Sequence, residues 1–216
     1  MTRRVPMAAV TAVLFSLTVQ AQEHRLPTHR VTTVENYVQH VFFETDTSGS
    51  MIFWGSCQHT HQGKIVYSDE IADPPQGPFM DIDRAMVALS ARDAHVSWKR
   101  DGDGFVRVTD DRVSGDVLRV RLKRIRFTAV ADSTAAVEQV MSAPEVRDYL
   151  KRKHIDGVVL RTTFITPGTV LPKWSADLGD VTVAQALDRI IKFFGGAWFY
   201  GECSCGSSRR VTVRAG

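Results

Sequence analysis

The sequence predicts an α+β fold made of two small βαβ-type modules, each a short sheet with helices packed on one face. The first observation is residues 181–200, where a helix with apolar residues at helical spacing leads through a Gly-Gly turn into an aromatic strand. The second is residues 82–98, which have the same form. The third is a Val-X-Val strand ending after each stretch, at 106–108 and 211–213. Two copies of one α/β unit fit a chain of 216 residues.

The two stretches align without gaps over 84–98 and 185–199. We interpret the alignment as an internal duplication, with a signal peptide over 1–21, a first module over 22–112 and a second over 117–216. The alternative is coincidence, because a helix followed by a hairpin is a common unit. The aligned positions are Ala85 with Ala186, Met86 with Leu187, Leu89 with Ile190, and Trp98 with Phe199.

The first module is predicted to hold two capped helices and four short strands. Thr33 and Asp81 are the predicted N-caps, because each directly precedes a stretch with apolar residues at helical spacing. Asp-Gly turn chemistry within 99–104 predicts a β-hairpin. The elements in order are a helix over 34–44, strands over 51–54 and 64–67 separated by a polar loop over 55–63, a helix from 82, and hairpin strands over 96–98 and 105–108.

The second module is predicted to begin with the clearest strand of the chain, 117–127. A basic outer row, Arg119, Arg121 and Lys123, alternates with its apolar residues, and a β-bulge near 123–124 keeps the later apolar residues on the core face. The row favours an acidic partner; the alternative is a solvated face that protects an edge. The other elements are a helix capped by Asp132 or Ser133, a helix with a capping box over 142–145, a strand over 157–165, a helix from 183, and strands over 197–200 and 210–214 around a loop over 201–208.

The N-terminus has the pattern of an export signal. Arg3 and Arg4 precede an apolar run over 5–19, and small residues at 19 and 21 predict cleavage after Ala21. The run is shorter than the ~20 residues that a membrane-spanning helix needs, although an uncleaved anchor is the alternative. We therefore expect a periplasmic or secreted protein that has no membrane span after cleavage.

The net charge and the cysteine content restrict the classes of partner and the cysteine chemistry that we expect. The formal net charge of +3 falls to +1 without the two arginines of the signal, so a nucleic-acid partner is not expected. An exported chain favours a disulfide between Cys57 and either Cys203 or Cys205. The alternative is a zinc or copper site formed by Cys57, His59, His61, Cys203 and Cys205, with redox activity as a related reading.

The sequence carries no strong enzymatic signature. Residues 101–104 (Asp-Gly-Asp-Gly) resemble the start of a calcium loop, but the later acidic ligands are missing, so a hairpin turn is expected. Metalloprotease, P-loop and dinucleotide motifs are absent. We expect no cofactor and no enzymatic activity, although a catalytic site assembled from distant residues stays open.

The closing helix–hairpin unit of each copy has the form of a family motif. Its residues are Ala186-Leu187, Ile190-Ile191, Gly195-Gly196 and 211–213 in the second copy, and Ala85-Met86, Leu89, Gly102 and 106–108 in the first. These residues resemble the short N-terminal domain of secretins and TonB-dependent receptors. The first copy departs from the pattern at Asp93-Ala94, where the family prefers Gly. The resemblance implies a periplasmic protein-interaction role, often through strand pairing, without enzymatic activity.

The sequence thus favours an exported, non-catalytic interaction module of the bacterial cell envelope. We expect it to bind an envelope protein through a sheet edge or a groove, because main-chain groups at an open edge can pair with a partner's strand. The alternative hypothesis is a secreted metal- or redox-active protein that uses the cysteine and histidine loops.

Overall fold

The two halves of the chain contain similar orders of helices and strands, except that the first has one more strand and the second has one more helix. The computed structural model describes residues 31–60, 63–72, 74, 81–160, 172–206 and 208–216. The first half contains β1 (Val31–Thr33), α1 (Val34–Glu44), β2 (Gly49–Thr60), β3 (Gly63–Ser68), β4 (Glu70–Ala72), α2 (Ile82–Ser90), β5 (Val96–Arg100) and β6 (Val106–Asp110). After a short 3-10 helix (Val117–Arg119), the second contains β7 (Arg121–Val130), α3 (Ser133–Met141), α4 (Pro144–Lys153), β8 (Ile155–Leu160), β9 (Trp174–Thr182), α5 (Val183–Phe194), β10 (Ala197–Cys205) and β11 (Ser208–Ala215). The predicted α+β class is confirmed.

Strand pairing follows the same plan in both halves. The first half forms the order β5-β6-β2, with an antiparallel and then a parallel pair, and the second forms β10-β11-β8 in the same way. Each half also has a small antiparallel pair, β1 with β4 and β7 with β9. Parallel pairing of β2 with β10 joins the halves into one mixed sheet, and β3 pairs with the outer part of β2.

Two glycines identify equivalent positions in the halves. Gly49 in β2 pairs with Val106, and Gly157 in β8 pairs with Val211. A Cβ atom on Gly49 would lie 2.6 Å from the ring of Phe42 in α1, and a Cβ atom on Gly157 would lie 2.8 Å from a methyl group of Leu150 in α4. Each strand therefore passes directly against the preceding helix, and β8 is the counterpart of β2.

The ungapped alignment holds in the helices and is wrong in the strands. Trp98 pairs with Val108, whereas the residue that pairs with the equivalent Val213 is Tyr200. Tyr200 is therefore the counterpart of Trp98, and the predicted match with Phe199 is wrong by one residue. The difference reverses the face of the sheet, because side chains alternate between the two faces of a strand.

The helices of the two halves lie on opposite faces of the joined sheet. Trp198 and Tyr200 of β10 pack in the core formed with α3 and α5. Ala197 and Phe199 pack in the core formed with α1 and α2. Strand β10 is thus buried on both faces, which explains its unbroken apolar run.

Some predicted elements differ from the structure, mainly where a polar stretch continues a strand and pairs with the strand that follows it. Strand β2 continues through the predicted polar loop to pair with β3, and β10 continues through the predicted loop after 200 to pair with β11. Strands β1, β4 and β9 were not predicted. The capping box over 142–145 is wrong, because Ala143 is the N-cap and Glu145 accepts a hydrogen bond from the backbone of Lys123. The register shift of β7 lies between Phe127 and Val130 rather than near 123–124.

Other predicted elements are confirmed or lie outside the described residues. The Thr33, Asp81 and Asp132 side chains cap α1, α2 and α3 as predicted. The predicted signal peptide and the last part of the strand over 157–165 lie outside the described residues. Within the ranges given above, no helix is both long and apolar enough to cross a membrane.

Gly55 tests the close approach of β2 and β3. A Cβ atom at this position would lie 1.8 Å from the carbonyl oxygen of Tyr67, so Gly55→Ala forces the strands apart. We expect a destabilisation of about 1–3 kcal/mol or more, measured by urea unfolding. Gly102→Ala is the matched control, because no atom lies within 4 Å of its added Cβ. Equal stability of the two variants would contradict the packing described.

Candidate interaction surfaces

The junction of the two halves is held by a buried carboxylate. Asp188 in α5 accepts hydrogen bonds from Arg107 Nη1 and Nη2 at 3.2 and 2.8 Å and from Trp198 Nε1 at 2.9 Å. Arg107 lies on β6, on the face opposite its own helices, so the pair connects the second half to the back of the first. Asp188 is one of the few charged residues that are buried, and its three donors compensate for the loss of water.

A second ion pair connects the halves in the opposite direction. Arg214 on β11 donates from Nε to Glu35 of α1 at 2.7 Å and from Nη2 to Gln39 at 3.1 Å. Its guanidinium lies 4.5 Å from the centre of the Phe199 ring. Burial raises the pKa of Glu35, although Arg214 favours the ionised form. Each half therefore offers a helix carboxylate to an arginine on the back of the other half's sheet.

A disulfide also links the halves. Cys57 in the outer part of β2 is bonded to Cys203 in β10, which is one of the two predicted pairings. The bond joins residues that are 146 positions apart and uses two of the five ligands that the metal hypothesis requires. Of the other three, His61 and the side chains of His59 and Cys205 lie outside the described residues. Elsewhere in the described ranges, no three His, Cys, Asp or Glu side chains form a group that could hold a metal ion.

A buried polar cluster lies beside the junction. Glu202 is 1% exposed and accepts hydrogen bonds from Tyr200 Oη at 2.5 Å and from Arg209 Nη2 at 2.7 Å. Burial raises the pKa of Tyr200 well above its usual range, and the Glu202 carboxylate reinforces the shift. Ser114 also donates to Glu202. Because these groups satisfy one another, we assign the cluster a structural role.

The predicted basic row does not form one surface. Arg119 lies in the 3-10 helix, where it is paired with Asp116, so the prediction that it lies on the strand is wrong. Arg121 is on β7, but Asp180 of β9 pairs with it at 2.7 Å. Lys123 is exposed on the same strand. The pairing of Arg121 reduces the positive charge that the row would offer to an acidic partner.

Two strand edges are candidate surfaces for a partner's strand. In the described part of the chain, β8 pairs only with β11 and β5 pairs only with β6. The three final residues of β8, Val158, Val159 and Leu160, are apolar and half-buried. The end of β5 carries Lys99 and Arg100, which are exposed. Charged residues protect an edge from pairing, so the β8 edge is the better acceptor.

An apolar groove between α1 and the start of β10 is the second candidate. Phe43 projects from α1 with 84% of its surface exposed. The groove is lined by residues of α1 and of the turn before β10: Asn36, Gln39, His40, Phe42, Phe43, Gly196, Ala197 and Gly216. This is the kind of surface that a partner's apolar side chain can enter.

No protein-family model, curated protein or solved structure matches the chain.

Sequence reasoning did not find Asp188 and Glu202. Asp188 directly follows Leu187 on the apolar face of the predicted helix, and a carboxylate on such a face is a signal of a buried partner. Glu202 lay in a predicted loop, so nothing in the local pattern indicated its burial.

A substitution of Asp188 tests whether the buried carboxylate stabilises the junction of the two halves. Asp188→Ala leaves Arg107 and the indole N–H of Trp198 without their acceptor, and we expect a loss of about 3 kcal/mol in the free energy of unfolding. Asp103→Ala is the control, because it removes the exposed pair with Lys192 and one backbone hydrogen bond within the turn, and we expect a loss well below that of Asp188→Ala. A similar loss in both variants would show that the junction does not depend on the buried carboxylate.

The disulfide gives a separate test of the same connection. We expect Cys57→Ser/Cys203→Ser to lower the free energy of unfolding by about 2–4 kcal/mol, because the bond closes a long loop in the unfolded chain. Cys205→Ser should leave the stability unchanged and should remain sensitive to dithiothreitol in thermal unfolding. Loss of that sensitivity in Cys205→Ser would mean that Cys205 forms the stabilising bond.

Proposed function

We propose that this chain is an exported, non-catalytic protein-interaction module of the bacterial envelope. It binds a protein partner that adds a strand to the β8 edge. The observation that carries the proposal is the apolar run Val158–Leu160 at the end of the sheet. Unpaired main-chain groups on such an edge provide affinity, and the alternating side chains provide selectivity.

The direction of the main-chain groups supports this role. The N–H of Gly49 in β2 donates to Gly196 at the start of β10, so alternate residues of β2 point toward that neighbour. Met51 lies two residues after Gly49, so its N–H also points toward β10. Val159 is the counterpart of Met51, and the N–H of Val159 therefore points away from β11. The N–H of Val158 points toward β11. The free edge thus presents the Val159 amide between two apolar side chains.

The two edge strands β8 and β5 differ in where their charged residues lie. Asp156 is the one charged residue of β8, and its carboxylate is paired with Arg210 Nη2 at 2.8 Å. The charges of β5 lie at its exposed end. A partner strand therefore meets less desolvation cost at β8 than at β5.

The resemblance and the disulfide support the proposed location. The residues that resemble the short N-terminal domain of secretins and TonB-dependent receptors imply a periplasmic interaction role. A disulfide between Cys57 and Cys203 is compatible with an oxidising compartment. The predicted signal peptide over 1–21 is part of the same proposal.

Site-specific photo-crosslinking tests the proposed edge. The side chain of Val158 lies on the face of β8 opposite α4. A photoreactive amino acid at this position is expected to capture a protein in the envelope of the source cell. Position 147, an exposed arginine on α4, is the control and should give no product. The captured protein is then purified and titrated against the chain, and Val159→Pro should weaken binding at least tenfold, because proline removes the outward N–H.

Two results would contradict the proposal. Capture at Phe43 but not at Val158 would place the partner in the groove by α1. Equal binding of Val159→Pro and the unchanged chain, with both folded by circular dichroism, would exclude strand addition at β8.

A further inference from the structure

We infer that the β8 edge pairs with the β5 edge of a second copy of this chain, so that the β2–β10 junction is repeated between molecules. The inference rests on the proposed function, because it requires β8 to accept a strand. It identifies that strand from the two halves themselves.

The equivalence of the halves makes the two free edges complementary. Strand β8 is the counterpart of β2, as Gly157 and Gly49 show. Strand β5 is the counterpart of β10, since each pairs antiparallel with the closing strand of its half. Inside the chain, β2 and β10 are already paired in parallel. In the described part of the chain, the two remaining edges of this sheet are therefore the same two kinds of edge that pair at the junction.

The register of the junction predicts the register between molecules. Ser50, Met51 and Ile52 pair with Trp198, Phe199 and Tyr200. The counterparts place Val158 opposite Val96, Val159 opposite Ser97, and Leu160 opposite Trp98 of the second copy.

The main-chain groups of β5 point in the required direction. The carbonyl of His95 accepts from Asp111 at 3.0 Å, so residues 95, 97 and 99 point toward β6. Val96 and Trp98 then point to the free edge, as their counterparts Trp198 and Tyr200 point to β2. The amide of Trp98 is an outward donor on this strand, and the amide of Val159, like that of Gly157, is an outward donor on β8.

The helix contact across the junction also has an apolar counterpart. Ile52, on the outer face of β2, packs against the core that contains α5. Its counterpart is Leu160, and the helix that would cover Leu160 is α2 of the second copy. Val87 occupies on α2 the position that Asp188 occupies on α5, and it is 59% exposed. Val87 would thus lie on the side of Val158 and Leu160. The counterpart of Arg107 is Thr212, which is already buried and accepts a hydrogen bond from the backbone of Val66 in β3, so the contact between molecules would lack the polar pair of the internal junction.

The contact is heterologous, since β8 of each copy meets β5 of the next. Such a contact does not close in a pair and can continue to further copies. Lys99 and Arg100 follow the paired part of β5 and keep the contact short. We therefore expect weak, concentration-dependent association with a Kd in the micromolar range.

Complementary variants test this arrangement in solution. We use sedimentation equilibrium of the disulfide-bonded chain, the β8-side variant Val159→Pro and the α2-side variant Val87→Glu. The unchanged chain is expected to form dimers and larger species, and each variant alone to associate at least tenfold more weakly. An equimolar mixture should regain a 1:1 dimer without larger species, because each variant keeps the edge that the other has lost. Leu160→Glu replaces Val159→Pro if that variant does not fold.

The outcomes separate the inference from the proposed function. A chain that stays monomeric up to about 1 mM, while Val158 captures another protein in the envelope, overturns the self-pairing and leaves the proposed function intact. A monomeric chain that also captures nothing at Val158 removes both. Association that neither variant weakens, or a mixture that forms no dimer, also overturns the inference.

Discussion

The parallel pairing of β2 with β10 is the constraint on which the rest of the structure depends. It places β10 between two cores, because Trp198 faces the helices of one half and Phe199 faces those of the other. In a strand that is buried on both faces, every unpaired main-chain polar group costs free energy of folding. The ladder therefore fixes the orientation of the second half, and the helices of the two halves must cover opposite faces.

The polar contacts at the junction depend on that orientation. Asp188 and Glu35 lie on helices of different halves, and each meets an arginine from the back of the other sheet. A buried ion pair adds little net stability compared with an apolar contact, but a misplaced partner leaves a buried charge unpaired. The two pairs therefore select the correct arrangement of the halves, and the Cys57–Cys203 bond holds it.

The sequence predicts local elements well and their pairing poorly. Caps such as Thr33 and the apolar faces of the helices are local properties, and those helices are confirmed. The outer parts of β2 and β10 look like loops because their residues are mostly polar or small, although each pairs with the strand that follows it directly in the chain. The predicted match of Trp98 with Phe199 is wrong because the second half has one extra residue between its helix and its strand. That residue reverses the faces of the sheet on which the side chains lie. The free edges depend on strand order, which no local pattern contains.

The strand order also explains why an edge remains. Two equivalent units joined head to tail use one edge of each, and the two edges left unpaired among the described residues are again complementary. Proteins usually protect such edges with charge, as Lys99 and Arg100 do at the end of β5. Strand β8 lacks that protection, because Asp156 is engaged with Arg210 and the residues that follow are apolar. Its exposure is thus a consequence of the same join that forms the core.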